Sequence, residues 1–294
     1  MKIFLVSALF VVGCGPGTRS GSGQGGDDGT GDDGSGSGMG SGSGDDGCSA
    51  ASMFVYTVDE NSTFSQFDPG AKKFTDIGQL KCNAGGGATP FSMGVDRNAV
   101  AWVLYSNGKI FQVDTTTLAC TATTWAGTGS LQEFGMGFST TAVGGTTDTL
   151  FVAGGTIGPL GPVGPTTLAT LDTTSMSSAN VGMVSGWPEL TGNANAELWG
   201  WFPDPDHPTV QKLDKTTGNA IATFKLDSLA GNPMDWAFAF WGGDYWVFLQ
   251  RDTDGATIVY QIDGTAGTVT SMMNTNTRSI VGAGVSTCAP VVIE

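Results

Sequence analysis

The sequence predicts an all-β domain of five four-stranded blades set in a ring, with the C-terminal strand completing the N-terminal blade. Three observations lead there. A short extended stretch ending in Asp occurs five times: FSQFD (64–68), IFQVD (110–114), LATLD (168–172), VQKLD (210–214) and VYQID (259–263). The Asp residues at 68, 114, 172, 214 and 263 are therefore 46, 58, 42 and 49 residues apart. A unit of that length built from short strands is a blade of a β-propeller. Finally, only 13% of residues are charged and 47 are Gly, and no long stretch repeats at the 3.6-residue helical period.

The strands can be assigned blade by blade, with a the innermost and d the outermost. The first blade has b at MFVYTV (53–58), c at TFSQFD (63–68) and d at KKFTDIG (72–78), but no a before them. Blade 2 reads FSMGVD (91–96), AWVLYS (101–106), KIFQVD (109–114) and CTATTW (120–125). Ser106-Asn107-Gly108 makes its b–c hairpin turn. Blade 3 reads FGMGFS (134–139), LFVAG (150–154), TLATLD (167–172) and a weak d near 179–184, with a Gly/Pro-rich loop over 154–166. Blade 4 reads PELTGN (188–193), ELWGWF (197–202), TVQKLD (209–214) and AIATFKL (220–226). Blade 5 reads WAFAFW (236–241), YWVFLQ (245–250), TIVYQID (257–263) and TVTSMM (268–273). One strand is left over, SIVGAGVS (279–286), and it supplies the missing a of the first blade. This resembles the closure of β-propellers, which removes an open sheet edge. The repeated Asp starts each c–d turn, where its carboxylate can accept bonds from the backbone just after it.

The domain organisation follows from composition. Residues 1–13 form a signal peptide: Lys2, then an apolar run from Ile3 to Val12 that is too short to span a bilayer as a mature helix. Residues 14–47 are Cys14 followed by a spacer made almost wholly of Gly, Ser and Asp, which cannot bury enough apolar surface to order itself. Residues 48–294 are the propeller. Val11-Val12-Gly13-Cys14 resembles the lipobox of bacterial lipoproteins. That resemblance implies cleavage before Cys14 and acylation of its thiol and new amino group, with palmitate among the acyl groups. Gly15 rather than Asp follows Cys14, which by resemblance to enterobacterial sorting implies the outer membrane. The spacer has an r.m.s. reach of roughly 30 Å. An ordinary signal peptide with an incidental Cys is the alternative.

Four cysteines remain, Cys48, Cys82, Cys120 and Cys288. An even number in an exported domain suggests two disulfides, with three pairings open. The closure brings the residue before the first b strand beside the residue after the last a strand, so Cys48–Cys288 is expected. Cys82–Cys120 is then the other pair. The strand directions put those two at opposite ends of neighbouring blades, so the 79–90 loop has to carry Cys82 across.

Net charge is −15, of which Asp27, Asp28, Asp32, Asp33, Asp45 and Asp46 lie in the spacer. The domain keeps 21 acids and 10 bases, near −11, which argues against a nucleic-acid partner. Two rows of a-strand residues are expected to face the central channel: Ser92, Gly135, Glu189, Ala237, Gly282 and Gly94, Gly137, Thr191, Ala239, Gly284. Glu189 is the one carboxylate in them. At the mouth beyond lie Pro90, Glu133, Trp187, Asp235 and Ile280. Glu133, Glu189 and Asp235 are thus candidate ligands for a metal or substrate, with Ca2+ as the candidate ion. The b–c and d–a loops share this face and include Pro203-Asp204-Pro205-Asp206-His207-Pro208 and Asp252-Thr253-Asp254-Gly255, both readable as metal loops or as rigid turns.

His207 is the only His, and no zinc spacing or phosphate-cradling motif is present. No catalytic residue is assigned, and no cofactor is certain. The expected function is a surface-anchored, non-catalytic and monomeric binding module whose candidate partners are a glycan or a surface protein. The alternatives are a glycan-active hydrolase using Glu189 with Glu133 or Asp235, or a lectin with an exposed Trp on the loop face.

Overall fold

The computed structural model describes residues 47–127, 131–158 and 161–293. The expected signal peptide over 1–13, the lipidation site Cys14 and the spacer over 14–47, Gly47 apart, lie outside the described residues. Twenty strands among the described residues form five antiparallel four-stranded sheets. The first combines β1 (Val55–Asp59), β2 (Thr63–Asp68) and β3 (Lys73–Gln79) with the last strand, β20 (Ile280–Val285), in the order β20-β1-β2-β3. Blade 2 is β4 (Pro90–Val95), β5 (Val100–Tyr105), β6 (Ile110–Asp114) and β7 (Cys120–Ala122). Blade 3 is β8 (Glu133–Thr140), β9 (Asp148–Gly158), β10 (Gly161–Leu171) and β11 (Ser178–Val184). Blade 4 is β12 (Glu189–Gly192), β13 (Leu198–Phe202), β14 (Thr209–Leu213) and β15 (Ala220–Lys225). Blade 5 is β16 (Pro233–Trp241), β17 (Asp244–Arg251), β18 (Ile258–Ile262) and β19 (Val269–Asn274). Closure by the C-terminal strand is thus a feature of the fold, with Val55 opposite Val285 and Thr57 opposite Ala283.

The sequence repeat is a repeated turn. Asp68, Asp114, Asp172, Asp214 and Asp263 each accept backbone N–H bonds from two or three residues ahead, as in Thr117 N to Asp114 Oδ1 at 2.7 Å and Ala266 N to Asp263 Oδ1 at 2.6 Å. Four residues after each Asp the chain takes a positive φ, at Lys72, Leu118, Met176, Gly218 and Gly267. Only two of these five are Gly, so the turn is imposed by the Asp cap and the flanking ladder rather than by glycine. These N–H donors hold the carboxyls of Asp114, Asp172 and Asp263 below the usual carboxylate range, and the Thr216 hydroxyl together with N–H donors does the same for Asp214.

Five apolar clusters among the described residues each seal one joint between neighbouring blades. The joint between blades 4 and 5 sets Trp199 and Trp201 against Phe238 and Tyr245. The closing joint sets Val55, Phe67 and Val285 against Trp246 and Phe248, with the Phe67 ring edge-on to Phe248 at 5.4 Å.

The innermost strands correct one expectation. Their small residues do not line a hollow channel. Each a strand turns its large residues toward the preceding blade and its small ones toward the next. Phe238 packs with blade 4, while Ala237 and Ala239 pack with blade 1. A side chain added at Gly135 would meet the Pro188 carbonyl oxygen, and one at Gly137 would lie 2.6 Å from the Leu190 carbonyl oxygen. The five strands therefore touch around the axis, and sheets set edge-on to that axis point alternate residues sideways, not inward.

Two further details differ from the sequence reading. The 154–166 segment is no loop. Strands β9 and β10 continue as a long hairpin with Gly158 opposite Gly161 and a register shift between Val163 and Thr167. The outer strand of blade 2 stops at Ala122, and Trp125 turns inward to stack edge-on against Phe134 at 5.9 Å.

Both disulfides are present. Cys48–Cys288 spans 240 residues and Cys82–Cys120 spans 38, with Cα atoms 5.9 and 5.3 Å apart. The 80–89 segment carries Cys82 across by burying Leu80 and Ala84 in the joint between blades 1 and 2, beside Leu118 at the c–d turn. Beside the first bond, Arg97 Nε pairs with Asp148 at 3.1 Å, and Thr287 donates to the other Asp148 oxygen at 2.7 Å.

Replacing both Cys48 and Cys288 by Ser is expected to cost about 4–5 kcal/mol in the chain-entropy model, a fall in melting temperature of about 8–20 °C for a domain of this size. Replacing Cys82 and Cys120 should cost less. Calorimetry without reductant compares them, and equal losses would show that ring closure is not what the first bond secures. Gly135→Ala is expected to cost about 1–3 kcal/mol by overpacking. Gly255→Ala, whose methyl meets open space, should stay within about 0.5 kcal/mol. An unchanged urea midpoint for Gly135→Ala would mean that the innermost strands are not in contact.

Candidate functional site

The innermost strand of blade 4 holds Glu189 at the first position of β12, opposite Trp201. Its side chain reaches past blade 3 to blade 2, where Ser92 Oγ donates to Oε2 at 2.8 Å. The same Ser92 oxygen accepts the Met136 N–H of blade 3 at 3.2 Å. One carboxyl group and one hydroxyl therefore tie three consecutive blades at the centre of the ring. Glu189 is 3% exposed, and burial pushes its carboxyl well above the usual range, with the Ser92 hydroxyl and Met136 N–H opposing that push. Its main chemistry is to fill the centre.

At the mouth where the innermost strands begin, a cavity of about 190 Å³ is lined by Glu60, Phe91, Glu189, Met234, Asp235 and Trp236 among others. Burial raises the Asp235 carboxyl to about 6, and the charge of Glu60 adds to the effect. Of the three carboxylates expected to converge, Glu189 and Asp235 share this cavity. Glu133 does not. It lines a separate pocket of about 390 Å³ with Ser106, Asn107, Gly127 and Gln132, and burial raises its carboxyl too. The physical reason is that the d–a connection leading into β8 sets Glu133 against the b–c turn of blade 2 instead of the axis. No group of three or more His, Cys, Asp or Glu among the described residues is placed to hold a metal ion, so the expected calcium ligand set Glu133, Glu189, Asp235 is not assembled.

Glu60 was missed in the sequence. It sits in the b–c turn of blade 1, and its N–H donates to Ser279 O just before the closing strand. The signal was there: once 279–286 is read as the closing strand, the turn after Asp59 has to sit at the same mouth. Asp204 and Asp254 are structural. Asp204 Oδ1 caps the N–H groups of Asp206 and His207 at 2.9 and 2.8 Å, and Asp254 pairs with Arg251 Nε at 2.8 Å.

The same face carries an open groove of about 470 Å³ between blades 3 and 4. Trp187, from the d–a connection, forms one side. Phe202, Pro203, Pro205 and His207, from the end of β13 and the b–c loop of blade 4, form the other. Trp187 is half-buried and His207 is exposed. Of the Trp residues, Trp199, Trp201, Trp102, Trp125 and Trp246 are buried core, whereas Trp187, Trp236 and Trp241 are half-buried, and Trp187 is the one that lines this groove.

No protein-family model and no curated protein matches the chain. Three solved structures resemble it in outline. The hydrazine synthase of Kuenenia stuttgartiensis matches with a TM-score of 0.43 and 13% identity, over 75% of this chain and 65% of that one. A mitotic checkpoint complex matches at 0.40 and 10%, over 77% and 65%. BamB from Moraxella catarrhalis matches at 0.34 and 18%, over 77% and 59%. The chain thus spans less than two thirds of each of these three structures.

The raised carboxyl of Asp235 has a stability consequence with a definite sign. A carboxylate whose folded-state pKa lies above its unfolded value stabilises the fold below the unfolded value. That contribution is lost as pH rises through about 6. Asp235→Asn is therefore expected to raise the urea midpoint at pH 8 relative to the parent, with the difference vanishing near pH 4. A difference that grows toward acid pH would contradict the burial of this carboxyl.

Proposed function

We propose that this chain is an exported lipoprotein whose propeller is a non-catalytic, monomeric binding module, tethered through Cys14 to the bacterial outer membrane or cell surface. The observation that carries the binding reading is the groove of about 470 Å³ between Trp187 and the Pro203–Pro205 segment, open on the loop face. The two disulfides support export, because such bonds persist in oxidising compartments. The lipobox-like VVGC and the Gly/Ser/Asp spacer behind it support an anchor with reach. A glycan hydrolase would need two carboxyl groups about 5–10 Å apart across an accessible cleft. Glu189 instead is buried and bonded to Ser92, and Glu133 lines a different pocket. The domain's acidity speaks for a glycan or surface protein as partner over nucleic acid.

The anchor is testable in a bacterial host fed labelled palmitate. The parent chain is expected to take up label and to fractionate with membranes. Cys14→Ala should lose both while melting at the same temperature. Label retained by Cys14→Ala, or a parent chain found free in the soluble fraction, would remove the lipoprotein reading.

A further inference from the structure

We infer that the groove between blades 3 and 4 is a saccharide site, with Trp187 as the platform for a neutral pyranose ring. This rests on the binding-module reading and gives it a ligand class.

The shape of the site is fixed by its own bonds. Asp204 Oδ1 caps two backbone N–H groups of the b–c loop. The Pro205 carbonyl accepts the Gly231 N–H at 2.8 Å, tying that loop to the segment ahead of β16. His207 Nδ1 lies 3.5 Å from Asp227 Oδ1. Pro203, Pro205 and Pro208 fix three φ angles within six residues. A loop held this way loses little conformational freedom when it binds, which favours a weak, small ligand. A volume of about 470 Å³ falls within the range of small-molecule sites.

The chemistry of the walls selects the ligand. A pyranose ring has a C–H face and a rim of hydroxyls. Its C–H face suits a flat, electron-rich indole, and its hydroxyls need short donors and acceptors at the edge. Trp187 and Pro203 supply the apolar surfaces, and Ser185, Thr209, Gln211 and His207 supply the polar edge. Gln211 Nε2 donates to Thr209 Oγ1 at 2.8 Å, so these two side chains are already aligned along one wall. Asp204 lines the groove, Asp227 lies 3.5 Å from His207, and the domain is acidic overall, so an anionic sugar is repelled and a neutral one is not. The mouth cavity of about 190 Å³ also holds an indole, Trp236, but it is smaller and ringed by the carboxyls of Glu60, Glu189 and Asp235.

The test uses the full-length chain and neutral hexasaccharides of glucose in α- and β-linkage, of mannose and of N-acetylglucosamine, with a polygalacturonate hexamer and a proline-rich decapeptide as comparators. Calorimetric titration is expected to show binding to at least one neutral hexasaccharide and none to polygalacturonate. Trp187→Ala should weaken that binding about tenfold or more, and Trp187→Phe by less, with unchanged melting temperatures. Binding that survives Trp187→Ala overturns this site and leaves the binding module standing. Binding of the decapeptide in place of every saccharide overturns the ligand class, again with the module intact. If a saccharide is cleaved during titration, the non-catalytic reading fails as well. If none of the probes binds, the inference is wrong.

Discussion

Contact between the five innermost strands is the constraint on which the structure depends. Five sheets meeting at one axis leave no room for a lining of side chains on both faces of each strand. The chain meets this with asymmetry: one face of the innermost strands is built mainly of Ser, Gly, Ala and Thr, with Glu189 the large exception, and the other mainly of Met, Phe, Leu and Val. The small face admits the backbone of the next blade, and the large face fills the joint with the previous one. This arrangement sets the handed order in which blades stack, and it puts the five apolar clusters at the joints and not at the centre. A ring of this kind is held by its joints, so an open joint would expose both a sheet edge and an apolar face. Blade 1, built from both ends of the domain, is accordingly secured beyond its ladder: β20 completes its sheet, Cys48–Cys288 joins the segments before β1 and after β20, and the Arg97–Asp148–Thr287 group beside that bond ties it to blades 2 and 3.

Glu189 belongs to the same constraint. A carboxyl at the axis looks like a ligand in the sequence, because charge in a narrow space is expected to serve function. Its place in the structure has a simpler account. The Ser92 hydroxyl, which itself accepts the Met136 N–H, lies at the point where three blades meet, and the Glu189 carboxyl accepts from it. Burial favours the protonated form, which removes the cost of an unpaired buried charge. The axis is thus filled, and the open groove lies at the periphery, where loops of unequal length meet.

That displacement separates scaffold from site. The c–d turns are nearly identical in all five blades, each with its Asp cap and its residue of positive φ. The opposite ends of the blades differ: a four-residue b–c turn in blade 2, a six-residue proline-bearing loop in blade 4, and a long hairpin in blade 3. Repetition at one end and variety at the other is what a rigid frame presenting one particular surface requires.

Much of the fold was legible in the sequence, because strand formation and turn caps are local. The five Asp-terminated stretches fixed the c strands, alternation fixed their neighbours, and the unpaired SIVGAGVS segment left one place for itself beside β1. The pairing of Cys48 with Cys288 followed from that closure. What the sequence could not convey was the direction in which alternate residues of the innermost strands point. That depends on the tilt of whole sheets about the axis, which no local pattern encodes. So in the sequence the small residues look like a channel lining, Glu133 falls in register with Glu189 and Asp235, and nothing local marks Glu60 as their neighbour. The groove beside Trp187 likewise exists only because a connection from blade 3 and a loop of blade 4, distant by about fifteen residues, are brought face to face by the packing of two sheets. Local chemistry decided the strands and turns; the sideways contact of blades decided which side chains meet.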